Sequence, residues 1–178
     1  MLTKASAPLA PYTALQGVLS VACGRLSYCF GLSGPSYSID TACSSSLVGT
    51  HLATKMLLSC ESESSTAAGV QTFLLPGAFV VLTMSNMLAT DGRCKTLDQS
   101  ADGYVRAEAC GIVELELGAD ELHQALAVAC GSTVNQDGRS SSLTAPNGPS
   151  QQAVIRSSVE GAEMPLAYRT LREIGRVR

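Results

Sequence analysis

Tyr37-Ser38-Ile39-Asp40-Thr41-Ala42-Cys43-Ser44-Ser45-Ser46-Leu47 is the stretch on which the rest of the chain hangs. It reads as an extended approach, a bend of small residues with Cys43 at its apex, and then a helix. Beyond the bend, Leu47, Val48, Leu52, Ala53, Met56, Leu57 and Leu58 spread around most of a helical wheel, and only Lys55 carries a full charge. A helix apolar on nearly all sides is usually buried, so the pattern puts Cys43 at the N-terminal end of a core helix. Unpaired N–H groups and the positive end of the helix dipole favour negative charge there, and the thiolate is the nucleophilic form of cysteine. Cys43 is therefore the candidate nucleophile.

Free cysteines more often serve as small buried hydrophobes, and this chain has seven. The other six, at positions 23, 29, 60, 94, 110 and 130, lack the combination of extended approach, small-residue bend and apolar helix. Ser44, Ser45 and Ser46 lack a Gly-x-Ser-x-Gly elbow, and a serine nucleophile needs a base more than a cysteine does. Their small side chains read as room for the backbone to turn.

Composition narrows the class. With 178 residues, 46% hydrophobic and 15% charged, the chain suits one folded domain with a real core. A net charge of −3 and the lack of a basic stripe with interleaved aromatics give no case for nucleic acid. The odd, unpatterned cysteines argue against a disulfide framework and suit a reducing compartment, and no Cys–His grouping has zinc spacing. No run of about 18 apolar residues is present to span a membrane. Lys4 ahead of Val18-Leu19-Ser20-Val21-Ala22 imitates a signal peptide, but Pro8, Pro11, Gln16 and Gly17 interrupt it. A soluble protein, cytoplasmic or in an unknown compartment, is expected.

Several blocks together resemble the active-site region of β-ketoacyl synthases, above all the ketosynthase domains of type I polyketide synthases. They are Gly24-Arg25-Leu26-Ser27-Tyr28, Phe30-Gly31-Leu32, Gly34-Pro35-Ser36 and Asp40 to Leu47. Two later blocks fit as well: Asp91-Gly92-Arg93-Cys94-Lys95 through Ala101 to Arg106, and Val134-Asn135-Gln136-Asp137-Gly138-Arg139 through Leu143 to Pro149. The resemblance covers roughly residues 10 to 156, with a divergent tail at 157–178. It implies an α/β, thiolase-like layered fold, incomplete, with residues 1–178 forming a single partial domain that corresponds to the central portion of a ketosynthase. Exposed sheet edges are expected where further strands would lie.

The resemblance also implies a chemistry. Ketosynthases of polyketide or fatty acid biosynthesis form carbon–carbon bonds by decarboxylative Claisen condensation of acyl and malonyl thioesters through an acyl-cysteine. Cys43 matches that cysteine, and its backbone N–H would serve as an oxyanion donor. No cofactor or metal is implied. Substrates arrive on the phosphopantetheine of an acyl carrier protein, the expected partner, and a complete ketosynthase fold would be a homodimer. The histidines that drive condensation lie, in the family, after the Asn-Gln-Asp-Gly block, whereas His51 and His123 precede it. This chain alone is therefore expected to be inactive in condensation. The alternatives are a non-condensing pseudoenzyme or interaction module, and a Cys-dependent acyltransferase.

Local patterns complete the expectations. Residues 12 to 23 suit a short helix punctuated by Gly24 and Gly31, with Arg25 and Tyr28 bracing it. His51 lies eight residues after Cys43 on the same helix, about 12 Å along the axis, and is read as structural. Glu63 to Thr66 stand where the family has aliphatic residues, so the strand there should start late or pack weakly. A helix after Pro76, a strand at Ile112–Leu117 and another at Leu126–Cys130 follow. Asp98, Asp102 and Glu108 resemble the family's scaffold acids. His123 reads as a solvated loop or helix-end histidine. Ser150 is a candidate cap for a helix over 151–157, and Tyr168 to Arg178 suits a solvated helix or a frayed tail.

Overall fold

In the computed structural model the described residues are 17–117, 125–143, 145–163 and 175–177. Helix α1 (Leu19–Phe30) runs through Gly24 rather than stopping at it, and ends at Gly31, whose φ of 67° is left-handed. The Leu32 N–H donates to Ser27 O at 2.9 Å, the closing bond that such a left-handed turn provides. The part of the expected helix before residue 17, like His123, lies outside the described residues. Tyr28 is 90% exposed, so the bracing expected of it is not seen among the described residues.

A 3₁₀ turn at Ala42–Ser44 leads directly into α2 (Ser45–Leu58). Then come β1 (Ser64–Gln71), α3 (Gly77–Met84) after Pro76, β2 (Ala109–Leu117), β3 (Ala127–Ala129), α4 (Gly148–Glu163) and β4 (Gly175–Val177). The sheet order is β1-β2-β4-β3, and every pairing is antiparallel. Of the stretch expected as a solvated helix or frayed tail, residues 175–177 are a strand between β2 and β3, and residues 168–174 and 178 lie outside the described residues. Two neighbouring strands present unpaired N–H and C=O groups, and a short extended segment satisfies both. None of the described helices is long and apolar enough to cross a membrane.

The strand β1 starts on time, at Ser64, despite its polar residues. Ser64, Thr66 and Ala68 face outward while Ser65, Ala67 and Gly69 are half-buried, so the hydroxyls alternate with the packed face instead of being forced into it. Ser65 Oγ also lies 2.8 Å from Ser62 Oγ. Its partner β2 has the expected alternation: Val113, Leu115 and Leu117 face in while Ile112 and Glu114 face out.

The core is small. Ala53 and Leu57 of α2 pack on Leu115, with Ala67 and Leu117 beside them. Only that face of α2 is covered. Leu47 is 76% exposed, and among the described residues nothing packs over the first turns of the helix on that side. The expectation of a helix buried all round is therefore corrected: an apolar wheel shows what a helix could bury, not how many layers surround it. Leu115 is fully buried at the centre of this cluster. Leu115→Ala is expected to cost about 3 kcal/mol, read as a lower urea midpoint with an unchanged slope.

Candidate active site

The bend before α2 is built from hydroxyls and one carboxylate. The Ala42 N–H donates to Asp40 Oδ1 at 3.0 Å, which turns the chain. The Thr41 N–H donates to Ser45 Oγ at 2.9 Å, and the Ser45 hydroxyl donates to Ala42 O at 2.7 Å. Ser44 Oγ donates to Thr41 O at 2.9 Å and lies 2.8 Å from Thr41 Oγ1. Ser44 and Ser45 thus do more than leave room: they close the turn. Asp40 and Thr41 were not singled out from the sequence, although Asp followed by small polar residues is a turn signal with this mechanism.

Ala42 pays for the bend in conformation. Its φ of 55° is left-handed, which costs a residue with a side chain roughly 1–2 kcal/mol. Cys43 follows in the 3₁₀ turn, with an exposed, unpaired thiol. The approach segment is anchored too, because the Ser38 hydroxyl donates to Leu19 O of α1. Ser38 and Ser36 also hold the Cys23 thiol below its usual range, through hydrogen bonds to its sulfur.

His51 does not reach this bend. Its Nδ1 lies 2.9 Å from Ser132 Oγ, tying α2 to the segment after β3. Burial, and then the nearby Lys55 ammonium, lower its pKa from the ordinary 6.5. The neutral ring is therefore the folded form's preference, and the stability it carries is complete above about pH 6.5 and is lost as pH falls towards the folded value. His51→Asn should flatten the acid side of the stability profile between pH 7.5 and 5 relative to the parent, measured by chemical denaturation at each pH.

The three acids pair as scaffold groups. Asp98 Oδ1 accepts from both the N–H and the hydroxyl of Ser100 at 2.8 Å, which lowers its pKa. Lys95 bridges Asp102 at 2.7 Å and Asp91 at 3.1 Å, and these contacts, Asp102 first, raise its pKa. Glu108 Oε1 accepts from the Phe73 N–H at 2.5 Å, and the Arg106 guanidinium carbon lies over the Phe73 ring, 4.8 Å from its centre.

The Asn135 block is pinned to α4. The Asn147 N–H donates to Asp137 Oδ2 at 3.0 Å, and its side-chain amide donates to Asp137 O at 2.8 Å. Asn135 Nδ2 donates to Ser150 O at 2.8 Å. Asn147, not Ser150, caps the helix, because its Oδ1 accepts from the Ser150 N–H at 3.3 Å. The helix starts at Gly148 with Pro149 in its first turn, where a missing N–H costs nothing. It also runs on to Glu163, past the expected end at 157. The signal was the Asn-Gly-Pro sequence, which outranks a serine three residues later.

The arrangement offers one exposed thiol at the head of a helix, on a polar, hydrogen-bonded turn, with the histidine of the same helix committed elsewhere. Among the described residues no group of histidines, cysteines and acids is placed to hold a metal. Residues 1–121 match the family described as β-ketoacyl synthase, N-terminal domain. The chain belongs to the β-ketoacyl synthase family. Among its relatives, polyketide synthase GfsE of Streptomyces halstedii is 48% identical over 156 residues, 86% of this chain and 4% of that protein. Erythronolide synthase EryA3 of Saccharopolyspora erythraea is 47% identical over 146 residues, 80% of this chain and 5% of that protein. The chain thus spans a small fraction of these curated relatives.

Solved ketosynthases have the same fold. One, from module 6 of the bacillaene synthase of Bacillus subtilis 168, superposes with a TM-score of 0.73 at 33% identity, over 85% of this chain and 29% of its own. An oxazolomycin ketosynthase domain of Streptomyces albus gives 0.76 at 34% identity, over 82% and 26%. The ketosynthase, thiolase-like α/β fold inferred from the sequence blocks is therefore the fold of this chain, present in part.

Proposed function

We propose that this chain supplies the acyl-accepting part of a polyketide-type ketosynthase, with Cys43 as the acyl carrier. The observation that carries this is the exposed Cys43 thiol on its hydrogen-bonded turn at the head of α2, inside the segment matched by the family. In the transfer, the Cys43 sulfur attacks the carbonyl carbon of a thioester delivered on an acyl carrier protein's phosphopantetheine. A new S–C bond forms, the old one breaks, and the pantetheine thiolate leaves with the proton that Cys43 gives up. Thiolate suits both roles, as nucleophile and as leaving group. The Cys43 N–H, in the turn, is the proposed donor to the oxyanion that forms on the carbonyl oxygen.

Condensation needs a further step: a malonyl unit must lose carbon dioxide and attack the acyl-cysteine. His51 is bound to Ser132 and stands two turns along α2, so it is not offered to that step. We assign this polypeptide loading without condensation. Incubating the full chain with an acyl-pantetheine thioester and a malonyl carrier, then measuring intact and peptide masses, tests both parts. The expected result is an acyl increment on the Cys43 peptide and no 3-ketoacyl product. A chain that stays unmodified at Cys43 defeats the proposal, and a 3-ketoacyl product defeats its second half.

A further inference from the structure

The first turn of α2 is held from two sides. On one side, the bonds from the Thr41 N–H to Ser45 Oγ and from the Ser45 hydroxyl to Ala42 O make residues 41 to 45 a single piece. On the other side lies β1. A Cβ on Gly69 would sit 2.3 Å from Ser46 Oγ and 3.2 Å from Ser46 Cβ, whereas non-bonded carbons rest about 3.5–4.0 Å apart. Helix and strand approach here more closely than a side chain at 69 permits. The demand is for space and not for an unusual backbone angle, since Gly69 is not among the positive-φ glycines. Gly111, its partner across the β1–β2 ladder, differs: a Cβ there meets nothing within 4 Å.

We propose that Gly69 is a positioning residue for Cys43. Its missing side chain lets the first turn of α2 seat on β1, and that seating fixes where the Cys43 thiol and the amides of the bend lie against an incoming thioester. The inference rests on Cys43 being the acyl acceptor. A methyl group at 69 turns the Ser46 hydroxyl aside and still leaves two carbons too close, so the helix start moves outward by a few tenths of an ångström. A valine moves it further. An attacking group misplaced by about 1 Å loses about a hundredfold in rate. Gly69→Ala should therefore lose several-fold, up to about tenfold, and Gly69→Val more.

The test compares the full-length parent with Gly69→Ala, Gly69→Val, Gly111→Ala and the double variant Gly69→Ala/Ser46→Gly, at a temperature where circular dichroism shows each one folded. Two rates are read on the Cys43 peptide: acylation by an acyl-pantetheine thioester, and alkylation by iodoacetamide, which needs no oxyanion donor. Acylation should fall several-fold, up to about tenfold, in Gly69→Ala while alkylation changes little, Gly111→Ala should match the parent, and Ser46→Gly should restore the alanine variant. Acylation unchanged in both folded Gly69 variants overturns the proposal. So does an equal fall in both reactions that Ser46→Gly fails to repair, which would mean general loosening. A parent that is never acylated at Cys43 removes the acyl-acceptor reading and this one with it, whereas acylation indifferent to Gly69 removes this one alone.

Discussion

Cys43→Ala is expected to abolish acylation at the head of α2 and to leave the fold intact. The side chain is exposed, and substitutions at exposed positions usually stay within about 0.5 kcal/mol. The loss should be on the order of a hundredfold or more, down to the slow background of the six remaining cysteines, because removing the nucleophile leaves only binding. Cys43→Ser sharpens the point. A hydroxyl at this position would need a base to take its proton, and the histidine of the same helix is bonded to Ser132 instead. Serine should therefore be as inert as alanine. Peptide-resolved mass spectrometry of the parent and both variants, with melting curves as control, reads the outcome. Acylation at the parental rate in Cys43→Ala would place the chemistry on another thiol, and fast acylation of Cys43→Ser would reveal a base that the described residues do not provide.

How far the sequence carried differs from element to element. The Tyr37–Leu47 stretch was legible because a run of small polar residues and an apolar helix are both local signals, and α2 begins where they meet. The strand β2 was legible because alternation is a pattern of two. What escaped was set by partners far along the chain. Glu63 to Thr66 looked wrong for a strand until pairing with residues 114–116 put Ser64 and Thr66 on the outer face and left Ser65 the neighbour of Ser62. Residues 175–177 carry no strand signal of their own and become β4 only because β2 and β3 leave a gap. The degree to which α2 is buried was beyond reach for the same reason, since Leu47 and Leu57 have the same side chain and differ in what lies opposite. At the site, the position of Cys43 in the turn before α2 was readable from its surroundings, but the bonds of Asp40, Thr41 and Ser45 and the left-handed Ala42 follow from how the bend closes.

The heaviest single cost outside the core is expected at Gly103. Its φ is 149°, a region that residues with side chains essentially avoid. A Cβ there would lie 2.5 Å from Ala89 N, 2.6 Å from Leu88 C and 2.9 Å from Met87 O. These are backbone atoms and cannot rotate aside. They belong to the Leu88–Tyr104 bridge, in which the Ala89 N–H donates to Tyr104 O and the Tyr104 N–H donates to Met87 O, each at 3.0 Å. Making room therefore parts both bonds, each worth about 1 kcal/mol, and adds conformational strain of about 1–3 kcal/mol. It also shifts Ala89, one of the few buried apolar residues described. Gly103→Ala should cost roughly 3–5 kcal/mol, a large part of what a domain of this size has to lose. Gly92→Ala is the matched control, since Gly92 also has a left-handed φ, 68°, but a Cβ there meets nothing within 4 Å. It should cost only the conformational term, about 1 kcal/mol. Urea denaturation of the parent and the two variants separates the cases. Equal losses at 92 and 103 would mean that the backbone angle alone demands glycine, and that the close approach to residues 87–89 contributes nothing.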